Sequence, residues 1–186
     1  GITDYKAFAL EVLEVVPVKP VSFEVFADDI PTMEKQAKEI ASWGRNVFVK
    51  IPATNTKGES TAALCGRLSE NGVQLNVTAL FTLDQVKKIA DVLSPNTAAA
   101  ITVFAGRTAD TGMDPMKDMR DWKDDISEHP KEELHWESHR DVLNIFQAEV
   151  GDFAIIPLDH AWRRELASVA NERQTLSREN GHRDSL

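Results

Sequence analysis

Lys50 lies in Asn46-Val-Phe-Val-Lys-Ile-Pro52, a short β-rich apolar run in which an ammonium group has no obvious place. Burial disfavours the charged form of a lysine, and a neutral amine so produced is nucleophilic enough to form a Schiff base with a carbonyl substrate. A lysine-dependent aldolase or transferase is therefore the first chemistry to consider. The competing reading is an edge-strand lysine whose ammonium snorkels to water. Choosing between them requires supporting groups on other elements.

Those elements follow an α/β pattern. Strands are expected near Val21 to Ala27, Asn46 to Ile51, Gln74 to Leu80, Ala99 to Ala105, Leu134 to Ser138 and Phe153 to Ile156. Helical spacing marks Thr32 to Ser42, Ser60 to Glu70, Leu83 to Leu93, Pro115 to Ile126 and Arg140 to Glu149, with a last helix beginning near Asp159. Side chains two apart on a strand share a face. With Lys50 and Phe48 turned inward, the corresponding faces carry Ser22, Glu24 and Phe26; Asn76 and Thr78; Thr102 and Phe104; and Trp136, Ser138 and Arg140. The opposite faces of the first four strands are apolar, as covering helices require. Polar residues on one parity suit the interior and C-terminal mouth of a (β/α)₈ barrel better than a doubly wound open sheet.

Five segments in order resemble the transaldolase family: Ser22-Phe-Glu-Val-Phe-Ala27, Asn46 to Pro52, Leu75-Asn-Val-Thr-Ala-Leu-Phe81, Thr102-Val-Phe-Ala-Gly-Arg107 followed by Asp110 and Gly112, and Trp136-Glu-Ser-His-Arg-Asp-Val-Leu-Asn144. The resemblance runs from about Tyr5 to Leu166. It implies a (β/α)₈ TIM barrel of transaldolase type and cofactor-free Schiff-base chemistry on phosphorylated sugars. In that chemistry a lysine attacks a ketose carbonyl, a retro-aldol step releases an aldehyde, and a dihydroxyacetone unit passes to an aldose phosphate.

Carried onto this sequence, Lys50 matches the imine-forming lysine. Glu24 would position a water that relays protons. Asn76 and Thr78 resemble the pair that binds substrate hydroxyls and that water. Thr102 stands where many relatives have serine. Arg107 and Arg140, with Ser138, resemble a phosphate clamp, a task suited to the paired donors of guanidinium. Phe104 occupies a position where aldolase-type relatives carry tyrosine, which favours group transfer over free aldol cleavage. The alternatives are fructose 6-phosphate aldolase activity and a catalytically inactive sugar-phosphate-binding or assembly protein.

One departure concerns strand number. Only six of eight strands are legible, so the chain reads as a barrel lacking the first two. Those strands would carry a catalytic aspartate and a Thr-Asn-Pro segment. The expected domain is a single barrel over 1–170, N-terminally incomplete, followed by a polar helix or tail over 171–186. An open barrel exposes a sheet edge, so a homo-oligomer is expected.

The remaining features narrow the classes. Of the 186 residues, 42% are hydrophobic and 27% charged, as in a globular domain. With 30 acidic against 21 basic residues the formal charge is −9, which argues against nucleic acid and anionic membrane as partners. No run is apolar enough to span a bilayer, no signal segment is legible, and a single cysteine suits a reducing compartment, so a cytoplasmic location is the default. His135, Glu137 and His139 form a His-x-Glu-x-His pattern that could suggest zinc. On the parity chosen above they would face outward, so no metal is expected. Asp28, Asp29, Asp124 and Asp125 read as helix-end or loop charges. Asn55-Thr-Lys-Gly-Glu-Ser60 lacks the spacing of a Walker loop.

Overall fold

The computed structural model describes residues 2–126 and 131–155. The expected last helix near Asp159 and the 171–186 tail lie outside the described residues. Among the described residues thirteen elements follow one another: α1 (Tyr5–Val15), β1 (Val21–Glu24), α2 (Ile30–Ala41), β2 (Val47–Pro52), α3 (Ala62–Glu70), β3 (Leu75–Leu80), α4 (Leu83–Ala90), β4 (Ala99–Val103), α5 (Ala105–Ala109), α6 (Pro115–Asp125), β5 (Glu132–Trp136), α7 (Val142–Val150) and β6 (Ala154–Ile155).

All strand pairs are parallel, and the strands stand in the order β1-β2-β3-β4-β5-β6. A doubly wound sheet reverses its strand order at a switch point. The uninterrupted order here instead describes consecutive β/α units of a barrel wall, with every strand C-terminus at one mouth. Among the described residues the wall is open at β1 and β6.

Alternation along the strands separates the two faces. Val47, Val49 and Ile51 of β2, Val77 of β3, and Ile101 and Val103 of β4 are nearly or fully buried beneath the helices. Met33, Ala37 and Ile40 of α2, Leu64 and Leu68 of α3, and Val86 and Ile89 of α4 supply the other side of that core. The helices begin where the sequence offers an acceptor. Asp29 accepts from Thr32 N, and Pro31 occupies the first turn, where its missing N–H is harmless. Thr82 and Gln85 form a capping box on α4. Asp29 is thus a helix-end charge as expected, and Asp28 joins two loops by accepting from the backbone and hydroxyl of Thr56.

Several sequence expectations require correction. β1 ends at Glu24, so Phe26 does not continue the inward face; it is 73% exposed and lies edge-on to Tyr5. β4 ends at Val103, and Phe104 becomes the N-cap of α5, a short helix that the strand pattern had hidden. The parity assigned to β5 is reversed. Trp136 is fully buried in the apolar layer beside Phe153, while His135 lies in register with Thr102 on the inner face. Ser138 and Arg140 lie beyond the end of β5, where the backbone turns, and cannot set its parity.

Candidate active site

The inner face assembles around Lys50. Register pairs it with Glu24 on β1 and Asn76 on β3, so one side chain from each of three strands is placed side by side. Farther round, Asn76 is in register with Ala100, which puts Thr102 on the same face of β4.

Two hydrogen-bonded groups result. In one, Thr102 Oγ1 donates to Asn76 Oδ1 at 2.7 Å and Asn76 Nδ2 donates to Ser22 Oγ at 3.0 Å, which spans three strands. In the other, Lys50 Nζ donates to Glu137 Oε1 at 3.0 Å, and Thr78 Oγ1 donates to Glu137 Oε2 at 3.1 Å. The Lys50 and Glu137 side chains retain only 20% and 18% exposure, so this ion pair is not a solvated surface contact. The Lys50 ammonium is therefore compensated by a carboxylate rather than stranded among apolar side chains, as its local sequence suggests.

Glu137 is the residue that strand reading misplaced. Its backbone extends the β4–β5 ladder past the end of β5: its N–H donates to Val103 O at 2.8 Å, and its carbonyl accepts from Gly106 N at 3.2 Å. Gly106 must approach closely for this to occur. A Cβ built there would lie 1.6 Å from the Ser138 carbonyl oxygen. The signal for Glu137 was present in β5, where Leu134 and Trp136 form the apolar face, leaving Glu133, His135 and Glu137 on the polar one.

Two of the three non-glycine residues with left-handed backbone among the described residues directly follow Thr78 and Glu137. Ala79, directly after Thr78, has φ 59°, and Ser138, directly after Glu137, has φ 61°. The first accompanies a register shift between Val77 and Leu80, a bulge of the kind that re-aims a side chain. Left-handed backbone at non-glycine residues costs on the order of 1–3 kcal/mol and persists where surrounding structure enforces it, often at functional sites.

At the mouth, the Arg107 guanidinium carbon lies 4.4 Å from the centroid of the Phe104 ring, and that ring is held edge-on by Phe81. Arg140 Nε bonds Asp110 Oδ2 at 3.0 Å, so both arginines are tied to α5. Both are exposed, as are parts of Ser138 and Glu24 at the open end of the wall. Among the described residues, no three of His, Cys, Asp and Glu are grouped to hold a metal ion. His135 Nε2 instead lies 3.3 Å from Glu133 Oε2. No helix among the described residues is long and apolar enough to cross a membrane.

Comparison with known sequences identifies the family. A sequence model described as Transaldolase/Fructose-6-phosphate aldolase matches residues 6–178. The chain is 40% identical over 116 residues to a probable transaldolase of Dehalococcoides mccartyi, a match covering 62% of this chain and 50% of the relative. It is 38% identical over 120 residues to one from Streptococcus agalactiae, covering 63% and 51%. It is 30% identical over 171 residues to one from Nitrosopumilus maritimus, covering 88% and 73%. The match thus spans about half the length of the first two relatives. With the family pattern extending over nearly all its residues and its strands in barrel order, the chain belongs to the transaldolase/fructose-6-phosphate aldolase family.

Proposed function

We propose that this chain supplies the imine-forming centre of a transaldolase-type transferase, which moves a dihydroxyacetone unit between sugar phosphates through a Schiff base on Lys50. The observation that carries the reading is the placement of Lys50 on the inner face of the wall, ion-paired at 3.0 Å and flanked by amide and hydroxyl groups. An apolar-run lysine serving only as a surface charge has no need of that lining.

The roles are those the family resemblance implies, and the positions described above support them. Lys50 adds to the ketose carbonyl, and the cationic imine then draws electrons from the bond that breaks in the retro-aldol step. Asn76, Thr78 and Thr102 offer hydroxyl and amide groups to a polyhydroxylated substrate. Glu24, the register partner of Lys50, holds a water for proton relay. Arg107 and Arg140 grip the phosphate, with Ser138 beside them, and no cofactor enters the scheme. Phe104 offers no hydroxyl to assist release of free dihydroxyacetone, which favours transfer over fructose 6-phosphate aldolase activity.

Intact-mass measurement after borohydride reduction with fructose 6-phosphate tests the proposal. A reduced adduct that maps to Lys50 and is lost in Lys50→Ala is expected. Folded protein without an adduct would leave a sugar-phosphate-binding role in its place. Release of dihydroxyacetone with no acceptor present would select the aldolase alternative.

A further inference from the structure

We propose that Glu137 is the acid–base group that moves the protons of imine formation at Lys50. The inference rests on the reading of Lys50 as an imine-forming amine and adds to it a carboxylate in direct contact with the amine, beside the water relay proposed for Glu24.

Geometry assigns the task to this carboxylate. A general acid or base must stand within about 2.6–3.2 Å of the atom whose proton it moves. Glu137 Oε1 lies 3.0 Å from the nitrogen that would react, and Oε2 is fixed by Thr78 Oγ1 at 3.1 Å. Thr78 is itself 2% exposed, so the second oxygen is anchored on a buried hydroxyl. The main chain of Glu137 is held at both ends by Val103 and Gly106, and the residues following Thr78 and Glu137 both adopt left-handed backbone. The carboxylate is preorganised against Nζ from two independent elements.

The proton inventory closes with this one group. At rest Lys50 carries three protons and Glu137 none. Glu137 first takes one, leaving a free amine. The nitrogen lone pair forms the N–C bond, and the carbonyl π pair moves to oxygen, which receives the proton from Glu137. Glu137 then removes a second proton from nitrogen, giving a neutral carbinolamine. When the nitrogen lone pair forms the C=N bond, the C–O bond breaks and the hydroxyl leaves with its electron pair, taking that proton as water. The products are a protonated imine on Lys50, an ionised Glu137 beside it, and one water.

The test measures the rate at which the borohydride-trapped fructose 6-phosphate adduct appears on Lys50 in the full chain. Glu137→Gln keeps the shape of the side chain, and Glu137→Ala opens a space that formate can enter. Expected are a roughly 10²- to 10⁴-fold slower adduct in Glu137→Gln, the usual range for loss of an acid–base group, and partial recovery of Glu137→Ala by formate. A carboxylate that only paired with the ammonium would behave differently: its removal would leave trapping as fast or faster, and that result overturns the proposal. Slow trapping in both variants with no formate recovery also overturns it, since altered packing then explains the loss. A wild-type chain that forms no adduct defeats the imine reading itself, an outcome distinct from a wild-type adduct indifferent to Glu137.

Discussion

Arg107 illustrates how a single side chain is prepared before any ligand arrives. Its guanidinium lies over the face of Phe104, and such a contact contributes about 0.5–1 kcal/mol at an exposed site. In the phosphate-binding role proposed for Arg107, a pre-placed guanidinium would lose less rotamer freedom, and the ring would act on binding through the arginine. Arg107→Ala is expected to raise KM for a phosphorylated ketose roughly 10- to 100-fold, the range for losing charge-assisted hydrogen bonds. Phe104→Ala should raise it only about two- to fivefold. Steady-state kinetics with phosphorylated and unphosphorylated ketoses checks both, because neither change should alter KM for the unphosphorylated sugar. Phe104 was expected to matter through the hydroxyl it lacks; its position adds the separate role of a platform.

At the scale of elements, one device recurs behind three strands. A helix side chain reaches back to accept from backbone N–H groups of the preceding loop: Gln36 of α2 from Phe26 and Ala27, Gln85 of α4 from Phe81 and Thr82, and Asn144 of α7 from Arg140 and Asp141. These loops form the mouth, and their donors would otherwise depend on water. The β4–α5 turn is fixed differently, through the close approach of Gly106 to Ser138. Gly106→Ala must push the Ser138 carbonyl aside and with it the neighbouring Glu137. The expected cost is about 3 kcal/mol, at the upper end for overpacking, or a melting temperature lower by roughly 6–12 °C. Lys50 adduct formation should fall together with it; thermal unfolding followed by circular dichroism and borohydride trapping measure the two effects.

For the whole molecule, the buried side of the sheet carries one acid with a consequence for stability. Glu132 begins β5 on the face that also holds Leu134 and Trp136. Burial, with the nearby charge of Asp91, pushes its carboxyl up from 4.5 to about 7. The folded state therefore holds a proton that the unfolded chain releases. The stability tied to that proton is fully present below pH 4.5 and is lost as pH rises through about 7. Chemical denaturation at pH 5 and pH 8 should show this decline, and Glu132→Gln should flatten it. An unchanged slope in the variant would assign the pH dependence to other groups.

Local sequence was enough to locate the described strands and most of the helices between them, though not α5, the ends of β1 and β4 or the face of β5, because alternation at period two acts over a few positions. Lys50, Asn76, Thr78 and Thr102 were legible for that reason, and the register brings their strands together as the barrel pattern requires. Leu134 and Trp136 made the polar face of Glu137 legible, but not its pairing with Lys50. Glu137 is 87 residues away in sequence, and its direction depends on where β5 stops. Ser138 and Arg140 resemble strand residues in a linear reading, yet the chain turns at Ser138 with φ 61°, so they say nothing about the face of β5. The tertiary structure alone decided that Glu137 faces the amine, because ladder hydrogen bonds from Val103 and Gly106 carry the β5 backbone past its last strand residue and aim that carboxylate inward.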